Sequence, residues 1–178
     1  VRKENFVGES GVILTKALVK NNYYRDQVFL CNLFRCRPKL NKLPTKKAEY
    51  ISCLNACSDY LESDIKNVKP NVILAFGNHV LKYLTGLEGI SKYKGTVLWS
   101  DKYNCKIIPA LNPSAILRDI SQQNEFNLHI ELAINESKFK EYIPVKKIET
   151  HYRTFSDFDN VIKFLDYIKT NVKYLAID

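Results

Sequence analysis

The sequence predicts an α/β domain of three layers, α/β/α, with helices on both faces of a central parallel sheet. Three observations carry that expectation. Residues 71–77 (Asn-Val-Ile-Leu-Ala-Phe-Gly) form a continuous apolar run, as a strand covered on both faces requires. Apolar residues at helical spacing precede and follow it, so strands alternate with helices. A chain of 178 residues with 46% apolar and 12% aromatic content has enough material for a real core.

In chain order, residues 9–20 read as a short helix with Val12, Ile13, Ala17 and Leu18 inward. Residues 28–33 (Val-Phe-Leu-Cys-Asn-Leu) read as the first strand. Thr45, after Pro44, is the expected N-cap of a helix whose Ile51, Leu54, Cys57, Leu61, Ile65 and Val68 share a face, and Pro70 closes it. The run at 71–77 is the central strand, and a helix over 78–85 ends near Gly86. Residues 96–99 and 106–111 are two further strands joined by a polar turn at 101–104. Ser114 is expected to cap a short helix reaching Arg118, and 122–142 to form a long amphipathic helix carrying Phe126, Ile130, Ala133, Ile134 and Phe139. Beyond Tyr142 the texture changes. Residues 143–150 read as extended linker, Ser156 as the cap of a helix running to Thr170, and 173–178 as a strand. The expected organisation is a first domain at 1–141, a linker at 142–155 and the beginning of a second domain at 156–178.

The formal charge of +8 favours a polyanionic partner, nucleic acid foremost. No apolar run has the length of a transmembrane helix and no signal-peptide pattern opens the chain, so no membrane role is expected and the cytoplasm is the expected compartment. Five cysteines without a secretory signal predict thiols or metal ligands rather than a disulfide framework. Valine in first place, and no methionine anywhere, predict a segment of a longer polypeptide.

Asn32 ends the first expected strand, where open α/β sheets bind ligands. Its amide offers one acceptor and two donors, which suits the edge of a nucleobase. The loop that follows is cationic: Arg35, Arg37 and Lys39, joined by Lys92 and Lys94, either face phosphates or are solvated loop charges. Ser114 with Arg118 makes a candidate anion site. His79, His129 and His151 lack metal-type spacing and read as surface or satisfied side chains. Cys31 and Cys105, in expected strands, read as inert thiols.

Taken together, the motifs resemble those of the four-cysteine, iron–sulfur type of uracil-DNA glycosylase (family 4). The segment 6–18, beginning Phe-Val-Gly-Glu-Ser-Gly, is similar to the family's Phe-Val-Gly-x-x-Gly-x-Leu-Leu. Asn32-Leu-Phe-Arg-Cys-Arg-Pro38, with Asn41 and Pro44-Thr45, resembles its Asn-x-x-Lys-Cys-Arg-Pro-Pro segment. The strand at 70–77, the turn Ile-Ser-Lys-Tyr-Lys-Gly at 90–95 and the segment Pro-Ala-Leu-Asn-Pro-Ser-Ala-Ile-Leu-Arg at 109–118 follow in the family's order. The resemblance implies the same fold, base flipping, Asn32 reading the uracil edge and Phe6 stacking on its face. It also implies DNA contacts by Arg35, Arg37, Lys94, Ser114 and Arg118. For a 4Fe-4S cluster it implies Cys36 and either Cys57 or Cys53, four thiolates being the usual requirement.

Two departures stand against full activity. Asn112 occupies the place of the family's histidine, which donates to the base oxygen as charge builds on the leaving group. The family's Gly-Glu-x-Pro-Gly segment, which positions water, does not occur, and Glu4 and Glu9 read as solvated charges. A glycosylase, a degenerate DNA-binding or scaffolding module, and a uracil sensor therefore remain open. The tail at 152–178, ending Tyr-Leu-Ala-Ile-Asp, resembles the entry to a DnaQ-type 3′–5′ exonuclease domain of family A DNA polymerases, as in some large phage polymerases. That resemblance implies a polymerase–exonuclease polypeptide working on single-stranded or fork DNA, with Asp178 holding a catalytic divalent ion such as Mg²⁺.

Overall fold

The run at 71–77 does form a strand, β1 (Val72–Phe76), and it pairs in parallel with β3 (Cys105–Ala110) from Val72 opposite Lys106 to Phe76 opposite Ala110. A short strand, β2 (Leu98–Ser100), pairs antiparallel with β3 on its other side, so the order is β1-β3-β2. The sheet is thus mixed, and β3, not β1, is its middle strand. The turn at 101–104 is too short for the crossover that a parallel connection needs, which dictates the antiparallel pairing. These are the features of a computed structural model that describes residues 5–36, 38, 42–144 and 154–171.

Helices α1 (Glu9–Lys20), α5 (Pro113–Ile116) and α6 (Gln123–Ser137) cover one face of the sheet, burying Leu14, Ala17, Leu18, Ile116, Phe126, Ile130 and Ile134 around Leu74 and Phe76. Helices α2 (Lys47–Val68) and α3 (Asn78–Thr85) cover the other, where Leu61, Leu84, Leu33, Ala75 and Ile107 meet. Alternate residues of β1 point to opposite cores, which is the strand period expressed in packing. A four-residue helix, α4 (Ile90–Tyr93), precedes β2. The three-layer α/β fold holds, with a mixed sheet. The chain divides into two units, Val1–Tyr142 and Ile143–Asp178. In the second, α7 (Phe158–Asn171) is capped by Asp157, whose Oδ1 accepts from the Asn160 amide at 2.9 Å, in place of the expected Ser156. The expected strand at 173–178 lies outside the described residues.

Other elements differ from expectation for identifiable reasons. Residues 28–33 form no strand. A cavity lies between them and β1, and the Leu30 carbonyl accepts instead from Asn5 Nδ2 at 2.8 Å. Val12 is 52% exposed while Leu14 and Gly11 take the buried places in α1. Helix α2 begins after Lys46 with no side-chain cap, so Thr45 is not its N-cap, and Ile51 and Val68 at its ends are exposed. Helix α6 stops at Ser137 rather than Tyr142, because the carbonyls of Phe139 and Glu141 turn toward Lys106 Nζ at 2.8 and 3.2 Å. Lys106 is wholly buried in β3 and also pairs with Glu136 at 2.8 Å. Its three protons meet three oxygens, which makes a buried ammonium tolerable.

Candidate functional site

The parallel strands deliver their carboxyl ends side by side: the amide of Gly77, one residue past β1, donates at 2.9 Å to the carbonyl of Ala110, the last residue of β3. Gly77, at φ +85°, turns the chain from β1 into α3, a conformation that side-chain-bearing residues rarely adopt. Its α-carbon faces the side chain of Asn112, which follows β3. Asn112, and not Ser114, caps α5. Its Oδ1 accepts from the Ser114 amide at 3.0 Å and the Ser114 hydroxyl at 2.9 Å. Both bonds end on the carbonyl oxygen, so Nδ2 is the group Asn112 has left to offer, and it meets no acceptor among the described residues.

Phe6, Asn32 and Asn112 line one cavity of about 420 Å³, together with Phe76, Leu33 and residues of α1, α2 and α6. Residues far apart in sequence, singled out for one ligand, thus share one space. Phe6 is half-buried, edge-on to Phe76 with ring centroids 5.9 Å apart. Its backbone sits at φ +55°, which costs strain for a bulky residue. Arg25 offsets that cost by donating to the Phe6 carbonyl at 3.2 Å and the Asn5 carbonyl at 2.6 Å. Gly11 makes the approach possible, since a β-carbon there would lie 1.6 Å from the Phe6 oxygen. Asn32 donates from Nδ2 to Asn5 Oδ1 at 2.7 Å, and its own Oδ1 meets no donor among the described residues.

The expected phosphate ligands fare unequally. Arg118 is exposed, and its guanidinium has no ion-pair partner among the described residues. Arg35 pairs with Asp64 and lies over the Tyr60 ring, 4.9 Å from its centroid. Lys94 is held by Glu125 at 2.6 Å. Ser114 turns its hydroxyl to Asn112. Arg37 falls outside the described residues. His129 departs from the surface or satisfied side chain expected of it: it is buried, its Nδ1 finds no partner among the described residues, and burial pushes its imidazole below the usual range against the opposing pull of Glu125.

Of the two alternatives for the second cluster cysteine, Cys57 is the one brought to Cys36. The Cys36 backbone amide holds the Cys57 thiol below its ordinary value, against the effect of burial, and the Cys36 side chain bonds to it as well. Cys53, a turn earlier on α2, is exposed. Two thiols are half of a four-thiolate set, and no group of three or more His, Cys, Asp or Glu among the described residues is placed to hold a metal ion. The described residues therefore do not fit an iron–sulfur cluster on their own. Burial raises both the Cys31 and Cys105 thiols, Cys105 to about 11; Cys105 is buried in β3, whereas Cys31 is only half-buried and lies outside any strand, unlike the expectation. Asp178, the expected exonuclease ligand, lies outside the described residues.

Motif reading passed over Asn5 and Tyr50. Asn5 contacts Asn32 across 27 positions, and no spacing rule links them. Tyr50 and His79 form an aromatic pair beside Phe34, with Tyr50 Oη 3.0 Å from His79 Nδ1.

Comparison with known proteins agrees with this geometry. Residues 2–136 match the family described as the uracil DNA glycosylase superfamily. A type-4 uracil-DNA glycosylase of Thermotoga maritima is 32% identical over 121 residues, covering 66% of this chain and 59% of that protein. One from Sulfurisphaera tokodaii is 32% identical over 149 residues, 75% of this chain and 64% of that protein. The chain thus spans about three fifths of the glycosylases it matches. A DNA polymerase of Bacillus phage SP01 is 25% identical over 170 residues, which is 93% of this chain and 18% of that protein.

Proposed function

Because the chain belongs to the uracil DNA glycosylase superfamily, we propose that its first unit draws uracil out of DNA, single-stranded DNA foremost, and hydrolyses the N-glycosidic bond. The observation that carries this reading is the convergence of Phe6, Asn32 and Asn112 on one cavity that runs along β1, with Asn112 just past the carboxyl end of β3. Uracil presents a donor, N3–H, flanked by two carbonyl acceptors. The unpaired Asn32 Oδ1 accepts from N3–H, while the second Nδ2 proton donates to O4. The Phe6 ring lies against the base, with Phe76 bracing its edge.

As the bond between C1′ and N1 breaks, its electron pair passes to the base and charge accumulates on the ring oxygens. Asn112 Nδ2 donates to one of them. A neutral amide stabilises that charge without transferring a proton, so the base departs as an anion, and water adds at C1′ and gives up its proton to solvent. One such donor contributes about a hundred- to a thousand-fold in rate. Arg118 gives the approaching backbone an unpaired cation. The likeness to a phage DNA polymerase over nearly the whole chain supports a place in a replicative polypeptide, with the segment after residue 155 opening an exonuclease that binds a divalent ion.

The test is release of uracil from a single-stranded oligonucleotide, read as alkali-labile abasic product. The intact protein is expected to form it. Asn112→Ala should lower kcat about a hundred-fold with little change in KM. No abasic product from the intact protein contradicts catalysis, and uracil-dependent binding without product would leave a sensor.

A further inference from the structure

Reading uracil with an asparagine carries an ambiguity. The side-chain amide has a donor on one side and an acceptor on the other, and a half-turn about its last bond exchanges them. In one orientation it matches the N3–H and O4 of uracil; in the other it matches the N3 lone pair and N4 amine of cytosine. Cytosine is an ordinary base of DNA and uracil is not. A site built on a freely turning amide would bind both.

The chain holds this amide by a relay that begins at the backbone. The Leu30 carbonyl can only accept, so the Asn5 side chain must present its Nδ2 there, at 2.8 Å. That choice leaves Asn5 Oδ1 facing Asn32 at 2.7 Å, and an oxygen there requires Asn32 to present Nδ2 in turn. Reversing Asn32 would set two acceptors against each other at hydrogen-bond distance and lose its bond to Asn5, and reversing Asn5 would set an acceptor against the Leu30 carbonyl and lose both bonds. Asn5 is itself anchored, because its backbone carbonyl accepts from Arg25 Nη2 at 2.6 Å. Asn32 is left with Oδ1 and one Nδ2 proton uncommitted. That set complements uracil and mismatches cytosine at both positions.

We propose that Asn5 is a positioning residue that fixes the Asn32 amide in its uracil-reading orientation and so sets discrimination against cytosine. The inference rests on Asn32 contacting the base as described above. It makes Asn5 a determinant of specificity with no contact to the substrate. Its side chain is needed for what it accepts from Asn32, and its backbone for what it accepts from Arg25.

The experiment measures binding of the full chain to two single-stranded oligonucleotides that differ at one central nucleotide, 2′-fluoroarabino-uridine or 2′-fluoroarabino-cytidine. The fluorine resists base departure, so the equilibrium is read without cleavage. Asn5→Ala removes the relay but keeps the carbonyl held by Arg25. It should lower the uracil-to-cytosine preference about ten-fold, largely through tighter cytosine binding, with a thermal midpoint close to that of the intact chain. A preference unchanged in Asn5→Ala overturns the relay alone, provided Asn32→Ala abolishes that preference. An intact chain with no preference overturns both the relay and the reading of Asn32.

Discussion

Lys106 near the start of β3 and Asn112 just past its end are both polar side chains set on one apolar strand, yet their surroundings are opposite. Lys106 is sealed: Glu136 and the carbonyls of Phe139 and Glu141 take its protons, and the Phe139 ring lies 3.8 Å from its nitrogen. Asn112 is exposed at a cavity, with its oxygen filled by Ser114 and its amine left without an acceptor among the described residues. Asn32 across the cavity is the counterpart, with its amine engaged by Asn5 and its oxygen open. A polar group whose capacity is filled within the protein holds the fold together. One with a vacant donor or acceptor facing a cavity is available to a ligand.

The largest effect expected from breaking this contrast is at the sealed end. Lys106→Ala would leave the Glu136 carboxylate and two carbonyls without their cation, and should cost about 3 kcal/mol, read from urea unfolding midpoints. Gly11→Ala acts at the open end. It drives a β-carbon into the Phe6 carbonyl and should cost about 1–3 kcal/mol. Unlike Lys106→Ala, it should also weaken binding of uracil-containing DNA, because Phe6 must move. The smallest effect belongs to His129, which lies in neither group. Its imidazole is held below its ordinary value by burial, so the unfolded chain binds the proton more readily. The neutral form is compatible with full stability above the unfolded value near 6.5, and stability falls as pH drops below it. Thermal midpoints measured from pH 7.5 down to 5 should show that fall, and His129→Gln should flatten it.

The same contrast explains what could be read in the sequence. The strand at 71–77, the helix ending at Gly86 and the positions of Phe6, Asn32 and Asn112 rest on local apolar runs, breakers and ordered motifs, and these survive into the structure. Hidden were the features made by partners distant in sequence. An apolar run at 28–33 reads the same whether its backbone meets a strand or the Asn5 side chain. Nothing near Lys106 announces the carbonyls that surround it, or that reaching it ends α6 early. Arg35 and Lys94 look like free cations until Asp64 and Glu125 are brought to them from other helices. Asn5 was hidden for the same reason, beside a residue that had been singled out.

Whether the open end of β3 handles uracil while the sealed end only supports it is read from the uracil excision rate per folded molecule in two variants. Lys106→Met should unfold more easily yet excise at close to the intact rate at a temperature where it remains folded. Asn32→Ala should keep its stability and lose about thirty-fold in rate, as expected for two hydrogen bonds of about 1 kcal/mol each. Parallel losses in both variants, or an unimpaired Asn32→Ala, would contradict it.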